Sequence, residues 1–298
     1  MRAVWSFWSK PFLASTGTSW REPLHHLLAW GLSLRLGERH YPETLLVTDE
    51  AGKSLLVDQL GLKFTHVSTE LEQLHSLDAD WWAMGKLYAY SLQDKPFVHM
   101  DTDVFLWKPL PARLTNAPVF GQCPEFRLAG EGCGPQIIEQ AFLKHGLTLP
   151  KEWVWTRSQS GATLSEVNCG IMGGTHVEFI RYYAKTGLDL VLNPANAPAW
   201  AGLSYKIGLN IVIEQFFLGA CIAYWRRQVA PVYRGVQVQY LFSSLDHALE
   251  PRVSAKVGFT HLLGGAKRDA TVTQRLEERF RRDDPDYYDR CQLVAAAM

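Results

Sequence analysis

Over the first hundred residues, strand-length apolar runs alternate with segments of helical spacing, and this alternation leaves few architectures open. Residues 2–8, 43–49 and 64–67 read as strands. Between them, 23–36 carries Leu24, Leu27, Leu28, Leu32 and Leu36 on one helical face, and 53–60 reads as a short helix. A helix over 81–93 then feeds a strand at 97–100. The pattern predicts an α/β fold with a Rossmann-like, mainly parallel sheet flanked by helices. Sheets of that kind bind ligands at the carboxyl ends of their strands. With 298 residues, 47% apolar and 20% charged, the chain can bury the core of one large domain or two small ones.

The strand at 97–100 runs into Asp101-Thr102-Asp103-Val104. Side chains two apart on an extended chain point to the same side, so both carboxylates can converge on one cation. Hard oxygens in a pair suit Mg²⁺ or Mn²⁺, which bridge phosphates. That points to an enzyme that handles a nucleotide diphosphate through a metal. The competing reading is an Asp-rich turn whose side chains bond their own backbone. The spacing recurs in Asp78-Ala79-Asp80, expected to cap the helix beginning at Trp81, and in Asp284-Pro285-Asp286, a charged turn. Only the middle triplet ends an apolar strand. No Gly-x-Gly-x-x-Gly or Walker loop follows the first strand, so phosphate neutralisation falls to a metal and to basic side chains.

Further along, 122–134 and 146–165 read as loops around a helix at 136–144. Residues 166–174 form a glycine-edged strand, Glu166-Val167-Asn168-Cys169-Gly170-Ile171-Met172-Gly173-Gly174, where glycine permits a ligand close to the backbone or simply makes a tight turn. A helix is expected over 176–186, a Pro/Ala-rich loop over 193–202, and a buried helix over 210–223 carrying Glu214 and Gln215. The tail from 271 reads as a charged helix on the outside. Lys plus Arg and Asp plus Glu both number 30, so nothing in the charge recruits nucleic acid or an acidic membrane. Five scattered cysteines without a C-x-x-C pair argue against zinc or a disulfide framework and for a reducing compartment. Lys10-Pro11 interrupts the N-terminal apolar run too early for a signal peptide, and no stretch approaches the ~18 apolar residues that span a bilayer. A cytoplasmic protein without a transmembrane segment is expected. The 11 tryptophans fill core for the most part, although aromatic faces also suit sugars.

Taken in order, these motifs resemble those of the GT-A fold glycosyltransferases, especially the glycogenin-like family 8. Met100-Asp101-Thr102-Asp103-Val104 resembles the family's Asp-x-Asp strand, and Asn168-Cys169-Gly170-Ile171-Met172 its Asn-x-Gly segment beside the donor sugar. Glu214-Gln215 is similar to an acidic-Gln pair lining the sugar, and His261-Leu262-Leu263-Gly264-Gly265-Ala266-Lys267 to a His-x-x-Gly-x-x-Lys signature. The resemblance implies a single GT-A domain over 1–298, with a nucleotide-binding half at about 1–110. An acceptor-side half with a C-terminal helix would take up about 111–298. It implies a hexosyltransferase-like enzyme moving a sugar from a nucleotide-diphosphate sugar, UDP-sugar favoured, to a glycan, lipid or protein acceptor, with a lean toward retention. Asp101, Asp103 and His261 would hold Mn²⁺ or Mg²⁺. Lys86, Asp101, Thr102, Asn168, Gly170, Gly264 and Lys267 would bind the donor, and Glu214, Gln215 and Lys267 would serve catalysis. Arg268-Asp269 stands where the family has Pro-Trp, and Glu214 where it usually has Asp. Two other readings stay open. One is an inactive GT-A-like scaffold that binds nucleotide or sugar. The other is a sugar nucleotidyltransferase, for which 9–17 is a poor match to the Gly-rich phosphate loop.

Overall fold

A computed structural model describes the whole chain except residues 15–18, 129, 131, 162, 228–232 and 234–235. Ser15, Thr16 and Gly17 of the segment weighed as a phosphate loop thus lie outside the described residues. The strands, in chain order, are β1 (Arg2–Phe7), β2 (Thr44–Thr48), β3 (His66–Ser68), β4 (Phe97–Met100), β5 (Val104–Leu106) and β6 (Val119–Gly121). They continue with β7 (Pro124–Leu128), β8 (Thr163–Val167), β9 (Ile171–Gly174), β10 (Val238–Tyr240) and β11 (Phe259–His261). The chain is α/β and its main-sheet pairing is mostly parallel: β1–β2, β2–β3 and β10–β6 run parallel, while β6–β9 runs antiparallel.

Two compact units make up the fold. One comprises Met1–His75, Met100–Leu110 and Pro251–Met298; the other comprises Ser76–His99 and Pro111–Glu250. In the first unit every residue of β2 is buried, as expected of a parallel strand covered on both faces. The helix Pro23–Glu38 starts with proline at its first turn, where the missing N–H costs nothing. Trp5 Nε1 donates to Ser33 Oγ at 3.0 Å, and Gly37 lets the indole lie on the helix, since a Cβ there would sit 2.6 Å from the Trp5 ring. The charged tail forms the helices Ala270–Asp283 and Pro285–Ala296. It is not merely external: Leu276, Phe280, Tyr287, Tyr288 and Cys291 are buried, and Tyr287 donates to the Leu27 carbonyl at 2.9 Å.

In the second unit the helices Met84–Ser91 and Val177–Leu192 pack together, with Gly187 facing Leu87. A continuous helical run follows: Leu209–Ile211, a π-helical segment Val212–Phe216, then Phe217–Arg227. The expected loops are partly wrong. Residues 124–128 and 163–167 pair as the antiparallel strands β7 and β8, and Lys151–Gln159 is a helix. Part of 193–202 is also helical, as Pro194–Asn196 and Ala197–Ala201. What the glycines of β9 admit is backbone: a Cβ on Gly173 would fall 2.0 Å from the Phe97 carbonyl oxygen, and one on Gly174 2.0 Å from that of Pro118. The bland reading of the tryptophans holds for Trp5, Trp30 and Trp153, each 0% exposed. All five cysteines are free.

Candidate functional site

β4 ends just before Asp101, and in the first unit the Val104 N–H returns to the Asp101 carbonyl at 3.0 Å. β5 then pairs antiparallel with β11, which sets His261 opposite Val104, and the Leu262 N–H bonds the Asp103 carbonyl at 3.0 Å. This register carries His261 to the two aspartates across more than 150 residues of chain. Ligand atoms of Asp101, Asp103 and His261 lie within 4.8 Å of one another. Asp103 is 5% exposed; its Oδ1 lies 3.4 Å from His261 Nε2 and its Oδ2 2.5 Å from Lys267 Nζ. Burial alone would raise the Asp103 carboxyl, but His261 and Lys267 overcome it and hold the group well below the usual carboxylate range. Two carboxylates and an imidazole form a donor set suited to Mn²⁺ or Mg²⁺, and Lys267 already meets one carboxylate with positive charge.

Lys267 stands on the short 3₁₀ helix Gly264–Arg268. Gly264 has φ +51° with open space around its Cβ position, so left-handed backbone explains the glycine there. Arg268-Asp269 has a local cause: the Asp269 side chain accepts the Val272 N–H at 2.9 Å and caps the helix Ala270–Asp283. Near Lys267 lies His26, whose imidazole burial pushes down to about 3, with Lys267 adding to the push and Asp103 opposing it. Thr102 is half-buried in the turn between β4 and β5.

The other aspartate triplets do local work. Asp78 does not cap the following helix. It accepts the Asp80 N–H at 3.1 Å and pairs with Lys206 at 2.6 Å, while the Ala83 N–H goes to Asn210 Oδ1 at 2.8 Å. Asp284 caps Pro285–Ala296 by accepting the Tyr287 N–H at 3.0 Å.

The second unit gathers the remaining candidates. Lys86, on Met84–Ser91, places Nζ 2.6 Å from Glu214 Oε1 and 3.3 Å from the Cys169 carbonyl. Glu214 is 0% exposed, takes the Tyr90 hydroxyl at 3.3 Å, and its own carbonyl accepts the Tyr183 hydroxyl at 2.6 Å. Glu214 and Gln215 both sit in the π-helical segment, a geometry frequent at functional sites. The Gln215 amide oxygen is buried and has no hydrogen-bond partner among the described residues. Asn168 Oδ1 accepts the Gly170 N–H at 3.0 Å, and its Nδ2 donates to Glu125.

Glu125, Arg127 and Glu166 went unmarked in the sequence. Glu125 and Glu166 stand opposite each other in β7–β8, and Arg127 Nε lies 3.2 Å from Glu166. A period-two signal was present in Glu125-Phe126-Arg127-Leu128, but it is inverted, with Phe126 68% and Leu128 52% exposed. Burial raises the Glu166 carboxyl, Arg127 opposes that, and Glu125 adds to it. A raised folded value means that the protonated form stabilises the fold below about pH 4, and that this contribution fades as pH climbs through the folded value. Glu166→Gln should therefore gain in Tm relative to the wild type between about pH 4 and pH 7. A difference that stays constant with pH would show that Arg127 fully offsets the burial.

The profile of one protein family matches residues 1–294. The chain belongs to DUF6734, a family of unknown function. No curated protein matches this DUF6734 chain. Among solved structures it is similar to galactosyltransferase LgtC in complex with donor and acceptor sugar analogues, at 13% identity and a TM-score of 0.41, covering 93% of this chain and 94% of that one. It is also similar to an active-site mutant of LgtC, at 12% identity, a TM-score of 0.41 and the same coverage. Likeness at that level assigns no activity. No helix among the described residues is long and apolar enough to cross a membrane.

Proposed function

We propose that this chain is a metal-dependent glycosyltransferase of GT-A type, one domain over 1–298, taking its sugar from a nucleotide-diphosphate donor, with UDP-sugar favoured. The supporting observation is the group of Asp101, Asp103 and His261 with Lys267 on Asp103, built from two distant segments of the first unit. Asp101, Asp103 and His261 would hold Mn²⁺ or Mg²⁺. When bound, the cation supplies Lewis-acid stabilisation of charge on the leaving diphosphate. Lys267, which pairs with Asp103, would add a second positive charge at the same diphosphate. Thr102 and Gly264 border the phosphates. Lys86, Asn168 and Gly170 bind the donor; Glu214 fixes the Lys86 ammonium, and Gln215 offers its buried amide oxygen to a sugar hydroxyl. Retention, a glycan, lipid or protein acceptor and a cytoplasmic location complete the proposal.

The test is thermal stability against a panel of nucleotide sugars with Mn²⁺ or with EDTA. A ligand at 100 times its Kd should stabilise by about 2.7 kcal/mol, and only with metal present. No shift with any nucleotide sugar would refute the reading. Product analysis then separates the alternatives. Nucleoside diphosphate release marks a transferase and pyrophosphate release a nucleotidyltransferase, while binding without turnover marks a scaffold. The buried Lys86–Glu214 pair favours the scaffold among the alternatives, because a carboxylate with 0% exposure is held from solvent in this arrangement.

A further inference from the structure

One polar atom in the first unit has no role in the reading above. His26 lies in the first turn of Pro23–Glu38, and its Nε2 is 3.1 Å from Trp30 Nε1. An indole N–H only donates, so Nε2 accepts and the proton of the neutral ring sits on Nδ1. That Nδ1 is buried and has no hydrogen-bond partner among the described residues. The ring stacks on Phe12 at 4.6 Å and 21°, lies tilted against Phe7, and meets Trp20 and Trp30 edge-on. Folded proteins rarely leave a buried N–H unmet, and a ligand is one thing that meets it.

The neighbourhood says which ligand. The Arg21 N–H donates to the Lys267 carbonyl at 3.2 Å, and Trp20 touches the His26 ring, so the segment entering the helix ties His26 to the Lys267 turn. The protonated Nδ1 cannot ligate a cation. It can donate to an anionic oxygen, which makes a stronger partner than a neutral one. We propose that His26 is a neutral N–H donor to a phosphate oxygen of the nucleoside diphosphate held at Asp101, Asp103 and His261, alongside Lys267. The inference rests on the reading of that group as a metal–nucleotide site. With a cation held at Asp103, the Lys267 ammonium and the His26 N–H would both face the same anion.

The test is calorimetric titration of the full chain with uridine diphosphate and with inorganic pyrophosphate, each with Mn²⁺. His26→Phe keeps the stacking on Phe12 and removes the donor; it should weaken both ligands roughly tenfold or more, as for other hydrogen bonds to charged groups. His26→Gln, which retains an amide donor, should recover part of that loss. Equal affinity in wild type and His26→Phe would overturn the inference, as would a loss for uridine diphosphate but not for pyrophosphate. Wild-type protein that binds neither ligand would remove the site itself, and with it this role. A spectroscopic readout on the wild type covers a phenylalanine variant that fails to fold. The His26 Nδ1 proton resonance should move downfield and exchange more slowly on adding Mg²⁺ and pyrophosphate. An unmoved resonance under saturating ligand would likewise overturn the role.

Discussion

Asp103→Ala should abolish metal-dependent nucleotide binding, with affinity for uridine diphosphate in Mn²⁺ falling by about 100-fold or more. The carboxylate does two things at once. It is the most enclosed oxygen ligand of the three-residue group, at 5% exposure, and it is the counter-charge that positions Lys267 at 2.5 Å. Alanine removes one of three metal ligands and frees Lys267, whose side chain at 22% exposure can then turn to water. The stability loss should be modest for the same reason, since an ammonium that reaches solvent is not stranded. Titration of wild type and variant, each with Mn²⁺ and with EDTA, separates these effects. The two proteins should differ with metal and agree without it. Wild-type affinity retained in the variant with Mn²⁺ would show that the nucleotide, if bound at all, does not use this group.

The sequence exposed the parts of this fold where burial follows period and hid those where it does not. β1, β2 and β4 were legible because continuous apolar runs coincide with what is buried, and the helix Pro23–Glu38 because its leucine spacing marks it, although it is buried nearly all round. The helix Lys151–Gln159 was not, because its burial contradicts its chemistry: Glu152 is 1% exposed, bonded by the Tyr182 hydroxyl, while Val154 is 53% exposed. The antiparallel pair β7–β8 failed for a related reason, with Glu166 inside and Phe126 outside. Within the site, Asp101, Asp103, His261 and Lys267 could be singled out by residue type and motif, and the β5–β11 register brings them together. The partner of Lys86 could not be read. Glu214 is 128 residues away, and the π-helical turn that carries it leaves no mark in apolar spacing. His26 was equally silent, because an unmet Nδ1 is a property of packing and not of composition.

Lys86→Met should cause the larger loss of stability. Methionine preserves much of the length and the apolar stem of Lys86, so the change amounts to deleting one charge from a buried pair at 2.6 Å. Glu214 then remains at 0% exposure with the Tyr90 hydroxyl and no ammonium. Removing one partner of a buried ion pair costs about 3–5 kcal/mol, most of it the penalty of the charge left behind. For a chain of this size that corresponds to a Tm lower by roughly 6–20 °C. Lys86→Met combined with Glu214→Gln removes the stranded charge and keeps an acceptor for Tyr90, so most of the lost Tm should return. A single variant as stable as the wild type would mean that Glu214 is neutral in the fold and that the pair does not hold the helix Met84–Ser91 to the π-helical segment. The double variant then distinguishes scaffold from ligand contact. If it regains stability and binds a nucleotide sugar like the wild type, Lys86 and Glu214 serve the fold alone. If it regains stability and still binds the nucleotide sugar more weakly, while uridine diphosphate binds unchanged, the pair acts on the sugar.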